Sequence, residues 1–108
     1  MRSRVSTSLA PGSLENVPKR FDFVSPDQRI VGDAKYYTLV GGVGLPPAKF
    51  SIIAEPVWLL ERIGAPVQFL VFGNDRSVPV QWLKRYAHLA SAVAFYFLTG
   101  SGDLETLR

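Results

Sequence analysis

Phe21-Asp22-Phe23 and Gly32-Asp33-Ala34-Lys35 set two carboxylates and an ammonium on either side of Ser25-Pro26-Asp27-Gln28. Carboxylates brought close together repel and raise each other's pKa unless a cation sits between them. Hard divalent ions such as Mg²⁺ take oxygen ligands, commonly one or two carboxylates plus a substrate phosphate. A lysine beside such a pair stabilises charge developing on phosphorus or holds an attacking water. These residue types therefore suit metal-assisted chemistry on a phosphate. The plain alternative is a solvated strand face bearing an Asp–Lys pair, which is worth little energy.

For the three side chains to meet, two strands must be joined as a hairpin. Residues 19–24 and 29–40 are rich in Phe, Val, Ile, Tyr and Thr and read as those strands. Ser25 to Gln28 reads as the turn, with Pro26 presetting φ at its second position. With an even-numbered loop, Asp22 is expected opposite Val31, and Asp33 and Lys35 share its face because alternate residues point the same way. Tyr37 has the same parity, while Ile30, Gly32, Ala34 and Tyr36 take the other face.

Downstream, the glycines of residues 41–44 form a loop without the Gly-Lys-Ser/Thr ending of a phosphate-binding loop. Pro46-Pro47 opens a predicted helix through about Arg62, with Ile52, Ile53, Val57, Leu60 and Ile63 at helical spacing. Pro56 predicts a kink or restart in it, and Gly64 a C′ terminus. Residues 66–73 read as a strand buried on both faces. Ser77 is the expected N-cap of a second helix over about 79–90, and residues 93–98 form the last strand. Trp58 and Trp82, at helical positions, are expected as core or interface anchors. Residues 1–18 read as irregular with a short helical turn near 13–16, residues 19–100 as the domain, and residues 101–108 as a short polar tail. The order hairpin, helix, strand, helix, strand predicts an α/β fold with helices packed on a mixed sheet.

With 108 residues, 47% hydrophobic and 19% charged, the chain is expected to form one small folded domain. A net charge of +3 fits a nucleic-acid partner without requiring one. The absence of cysteine excludes disulfides and thiolate metal sites, and the single histidine, His88, excludes a multi-histidine site within one chain. Arg2 and Arg4 are followed by no sustained apolar run, so a secretory signal is not expected. The longest apolar stretches, 67–72 and 89–98, fall short of a bilayer span. A cytoplasmic protein without membrane contact is the expectation.

Phe-Asp-Phe, a short turn, then Gly-Asp-Ala-Lys on the next strand resembles the PD-(D/E)XK nuclease superfamily, the restriction-endonuclease-like fold, over roughly residues 19–98. In that family the first acid and the D/E-X-K triplet occupy adjacent strands, and helix, strand, helix, strand follow. The resemblance implies that Asp22 and Asp33 are metal-binding acids, that the Ala34 carbonyl is a metal ligand, and that Lys35 is the catalytic lysine. The implied cofactor is Mg²⁺ or Mn²⁺, and the implied reaction is hydrolysis of a phosphodiester in DNA or, less often, RNA. The family usually carries a further acid on an N-terminal helix, for which Glu15 is the acid available. A glutamine-and-tyrosine motif of recombination-associated relatives is absent from residues 47–62; Gln81 and Tyr86 lie on the later helix. Lys19, Arg20 and Arg29 near the hairpin, and Lys84 and Arg85 on the second helix, are candidates for a phosphate backbone, where such residues position rather than specify. For the helix pair, a solvated face is the alternative. The other function class is a catalytically inactive nucleic-acid-binding or homodimeric assembly module on the same fold.

Overall fold

The computed structural model describes residues 9–36 and 47–108. Their order is β1 (Ala10–Ser13), β2 (Arg20–Val24), β3 (Ile30–Lys35), α1 (Pro47–Ile63), β4 (Val67–Phe72), α2 (Ser77–Tyr86), a 3₁₀ turn (Ala87–Leu89), β5 (Ala94–Leu98) and β6 (Leu104–Thr106). The strands form one mixed sheet in sequence order, with β3–β4 and β4–β5 parallel and the remaining neighbours antiparallel. The α/β class expected from the sequence is the one found.

Parallel neighbours need a crossover, and α1 and α2 supply the two. Successive crossovers of one hand, moving the same way along a sheet, place both helices on one face. The packing agrees. Trp82 of α2 stacks on Phe95 of β5 at 5.5 Å between ring centroids, and Phe95 stacks on Phe72 of β4 at 5.7 Å. Ile53, Val57 and Leu60 of α1 join the same core with Val31, Leu70 and Val78. On the reverse face Phe23, Phe69 and Tyr96 form a half-buried row, with centroid separations of 5.7 and 6.3 Å.

This one-sided arrangement corrects the reading of β4 as buried on both faces. Gln68, Leu70 and Phe72 are buried under the helices, whereas Val67, Phe69 and Val71 are exposed or partly so. The segments read as irregular and as a polar tail are also corrected, because each contributes a strand, β1 and β6, to an edge of the sheet. Instead of a helical turn over 13–16, Leu14 accepts a hydrogen bond from the Val17 N–H beyond the end of β1.

Local signals place the remaining boundaries. The Gln28 N–H donates to the Ser25 carbonyl at 2.9 Å, closing the expected turn. Ser25 Oγ accepts from the N–H groups of Arg29 and Ile30 and stiffens the turn's exit. α1 continues through Pro56 as one helix rather than restarting, and Gly64 ends it at φ +66° with its N–H donating to the Leu60 carbonyl. Ser77 is the first residue of α2 rather than its cap; Asp75 Oδ1 accepts from both the Ser77 N–H and hydroxyl. Trp82 is core, but Trp58 is 60% exposed, with Arg62 above its ring. No helix among the described residues is long and apolar enough to cross a membrane. Tyr37, the expected extension of the second strand to Val40 and the 41–44 loop lie outside the described residues.

Candidate functional site

The register of the hairpin brings the two acids together more directly than alternation alone implied. Val24 pairs with Val31 and Phe23 with Gly32, so Asp22 and Asp33 are the next residues along; Asp22 is not opposite Val31. On the other side of β2, Ala10 pairs with Val24 but Gly12 pairs with Phe21. Two steps along β1 thus match three along β2, which is a β-bulge in β2 at the position of Asp22 and Phe23. A bulge adds one residue, bends the strand and re-aims side chains. Its effect is visible in the phenylalanines. Phe21 and Phe23 have the same parity, yet Phe21 is fully buried in the helix-side core while Phe23 stacks on the reverse face.

At the bulge the main-chain ladder gives way to carboxylates. The Asp22 N–H donates to Asp33 Oδ1 at 2.8 Å, and the Ala34 N–H donates to Asp22 Oδ2 at 2.9 Å. The carbonyls of Arg29 and Lys35 accept from the Val67 and Gly73 N–H groups. Odd residues of β3 therefore direct their backbone groups at β4, and Ala34 directs its own toward β2, into the gap. The two acids, the Ala34 peptide group and the Asp22 N–H share that gap.

Asp33 is 2% exposed and sits on the helix-covered face with Val31 and Leu70. Its Oδ2 is held by Lys19 Nζ at 2.9 Å and Lys35 Nζ at 3.3 Å, with the two lysine side chains 18% and 16% exposed. Burial, the largest single influence, pushes the Asp33 carboxyl up. The Asp22 N–H, the Lys19 hydrogen bond and the charges of Lys35 and Lys19 together outweigh it and hold the carboxyl below its ordinary value. Lys19 also stands 5.4 Å from the Phe21 ring centroid, a cation–π placement. Asp22, by contrast, is exposed.

The structure thus unites Asp22, Asp33, Ala34 and Lys35, and it draws Lys19 into their centre as Asp33's tightest ionic partner. From the sequence, Lys19 is expected at a nucleic-acid backbone rather than in this centre. Only its nearness to the motif marked it, since the bulge that aims it inward has no local signature. Arg20 is exposed on β2, and its neighbour Phe21 is buried on the helix-covered face, so alternation puts Arg20 on the face away from Asp33. Arg29 is at the turn end of β3, four residues from Asp33, or about 13 Å at strand rise, so it does not flank the acids as expected. Lys84 and Arg85 are exposed near the end of α2. That helix starts beyond the carboxyl end of β4 and leads back toward the amino end of β5, so the pair is not brought to Asp33. Glu15 is exposed in the turn after β1. Among the described residues no three His, Cys, Asp or Glu side chains group to hold a metal, so Glu15 does not complete a triad.

A hard divalent ion is commonly held by one or two carboxylates with waters and phosphate filling the rest, but here both Asp33 oxygens are already engaged, Oδ1 by the Asp22 N–H and Oδ2 by two ammoniums. Asp22, Asp33 and the Ala34 carbonyl are all hard oxygen donors, and an exposed Asp22 gives access from solvent. The fit carries one condition, that Asp33 Oδ2 be released by an ammonium. Compared with protein-family models, curated proteins and solved structures, the chain matches none of them. What the fold and site define is a small α/β domain whose mixed sheet carries a carboxylate–lysine cluster at a break in its hairpin.

Proposed function

We propose that this protein is a divalent-cation-dependent nuclease that hydrolyses phosphodiester bonds in DNA or RNA, with Asp22, Asp33 and Lys35 at its centre. The observation that supports this most is the interrupted ladder, where two acids, a lysine and a peptide group converge. Hydrogen bonds from the main chain fix the carboxylates before substrate arrives, and preorganised charge is what stabilises a transition state most. Asp22, Asp33 and the Ala34 carbonyl would hold Mg²⁺ or Mn²⁺. The bound ion supplies Lewis-acid neutralisation of charge on the phosphoryl oxygens. Lys35, anchored on Asp33, adds a positive charge beside the scissile phosphate. A cytoplasmic setting belongs to the same proposal.

The test is cleavage of single- and double-stranded DNA and RNA in Mg²⁺ and in Mn²⁺. Asp22→Asn and Lys35→Met are each expected to lower the rate about a hundredfold or more while the fold is kept. Metal-dependent cleavage that is unchanged in both variants would remove the site assignment. The engagement of Asp33 by an N–H and two ammoniums favours one second reading, a binding module that does not cut. Salt-sensitive nucleic-acid binding, with no cleavage in any metal, would establish it over the nuclease.

A further inference from the structure

We propose that the groove between α1 and α2 is a binding site for a small organic cation, an ammonium compound with an apolar body, held by Trp58 and Glu61. The proposal is independent of the reading above, because it concerns the helix layer rather than the hairpin gap and requires neither cleavage nor a metal ion.

The groove has a volume of about 480 Å³, within the size range of small-molecule sites. Ser51, Ala54, Trp58 and Glu61 recur at helical spacing and make one wall from α1, and Trp82 and Tyr86 of α2 make the other. Ser51 and Ala54 are small, which leaves room between the helices. Trp82 is backed by Phe95 and meets Tyr86 at 5.3 Å and 50°, so two tilted rings form the floor. Trp58, 60% exposed, belongs to the opposite wall. The faces of such rings are negative and attract ammonium groups. Arg62 shows this for Trp58, standing 5.9 Å over its ring, yet no lysine or arginine among the described residues lines the groove. Glu61 is the charged side chain there. Its Oε2 accepts from the Ala92 N–H at 2.7 Å, which fixes the carboxylate against the turn before β5, and its Oε1 has no hydrogen bond or ion pair among the described residues. A half-buried carboxylate beside apolar walls loses part of its hydration, and a cation offsets that loss. An anion would be repelled, and a neutral guest would leave Oε1 unanswered. A positive head against Glu61 and Trp58, with an apolar body along Ala54 toward the rings of α2, matches each surface of the groove.

The probes are meta-(trimethylammonio)phenol and its uncharged isostere meta-tert-butylphenol, titrated into the full chain and followed by the tryptophan indole N–H signals in ¹⁵N-resolved spectra. The cation is expected to bind about tenfold tighter than the isostere and to shift the Trp58 signal. Glu61→Gln, whose amide oxygen can still accept the Ala92 N–H, is expected to weaken the cation about fivefold and to leave the isostere unchanged. Trp58→Leu, at an exposed position that the fold does not depend on, is expected to weaken the cation more than the isostere. Equal affinity for the two probes overturns the proposal, as do shifts that spare Trp58 or a cation affinity that ignores Glu61. The absence of saturable cation binding up to about 10 mM overturns it too. Cleavage of nucleic acid, present or absent, bears on the hairpin gap alone.

Discussion

Replacing Asp33 by Asn removes the cluster's central charge while keeping its shape. Asp33 accepts one main-chain hydrogen bond at 2.8 Å and two ammonium contacts at 2.9 and 3.3 Å, and it is 2% exposed. Asn retains a carbonyl for the Asp22 N–H but turns an amide donor toward ammonium donors. Breaking a buried pair by removing one partner costs about 3–5 kcal/mol. Here both lysines can swing partly into water, so the expected loss at neutral pH is about 2–4 kcal/mol. The pH dependence has a definite sign. The Asp33 carboxyl is held below its ordinary value in the folded protein. Its contribution is therefore complete above the unfolded-chain pKa of about 4 and drains away as pH falls through the lower folded value. Asn has no such dependence, so the gap between the two proteins must close in acid. Urea unfolding of both proteins in chelator, from pH 7 downward, measures it. Stability of Asp33→Asn within about 0.5 kcal/mol of the parent at pH 7 would refute the ionic account. So would a gap that persists undiminished in strong acid.

Two further perturbations probe the frame that holds the cluster. A Cβ on Gly32 would run into the Phe69 ring, which is itself stacked on Phe23 and edge-on to Tyr96. Gly32→Ala is expected to cost about 1–3 kcal/mol in urea unfolding, with much of that recovered when Phe69→Leu is added; a neutral Gly32→Ala would show that the ring is free to move. Gln68, 3% exposed, accepts from the Ala65 N–H at 2.9 Å and donates to the Ala92 carbonyl at 3.2 Å, tying the start of β4 to the approach to β5. Gln68→Leu should lower stability by about 1–2 kcal/mol, read from the urea midpoint, and an unchanged midpoint would mean that water replaces both bonds.

What was legible in the chain was what local chemistry controls. Pro26 and Asp27 announced the turn, the spacing of Ile53, Val57 and Leu60 announced α1, and Gly64 announced its end with the positive φ that glycine tolerates. β1 was hidden because Ala-Pro-Gly-Ser has no apolar alternation. It forms because an edge strand accepts Pro11, whose missing N–H need not pair inward. β6 is three residues long, too short for a pattern. The hairpin register was off by two because a two-residue slip preserves every parity, so the grouping of acids and lysine survived although their opposites changed. Which face of β4 the helices cover is a property of crossover direction, which no single strand's sequence encodes.

The bulge was the least legible feature and the one on which the site depends. A regular β2 would send Phe21 and Phe23 to the same face. The sheet needs one under its helices and the other against Phe69, so an extra residue must intervene, and Asp22 is at that place. Opening the ladder leaves the Asp22 and Ala34 N–H groups without strand partners, and unpaired buried main-chain donors are expensive. Asp33 and Asp22 answer them, each carboxylate taking the other strand's N–H. The acids read from sequence as chemistry thus also repair the backbone, and the repair aims them at one point. Hydrophobic demand on two faces creates the gap, the carboxylates fill it, and the lysines neutralise the buried one; a metal-dependent nuclease would use the charge that this arrangement has already fixed in place.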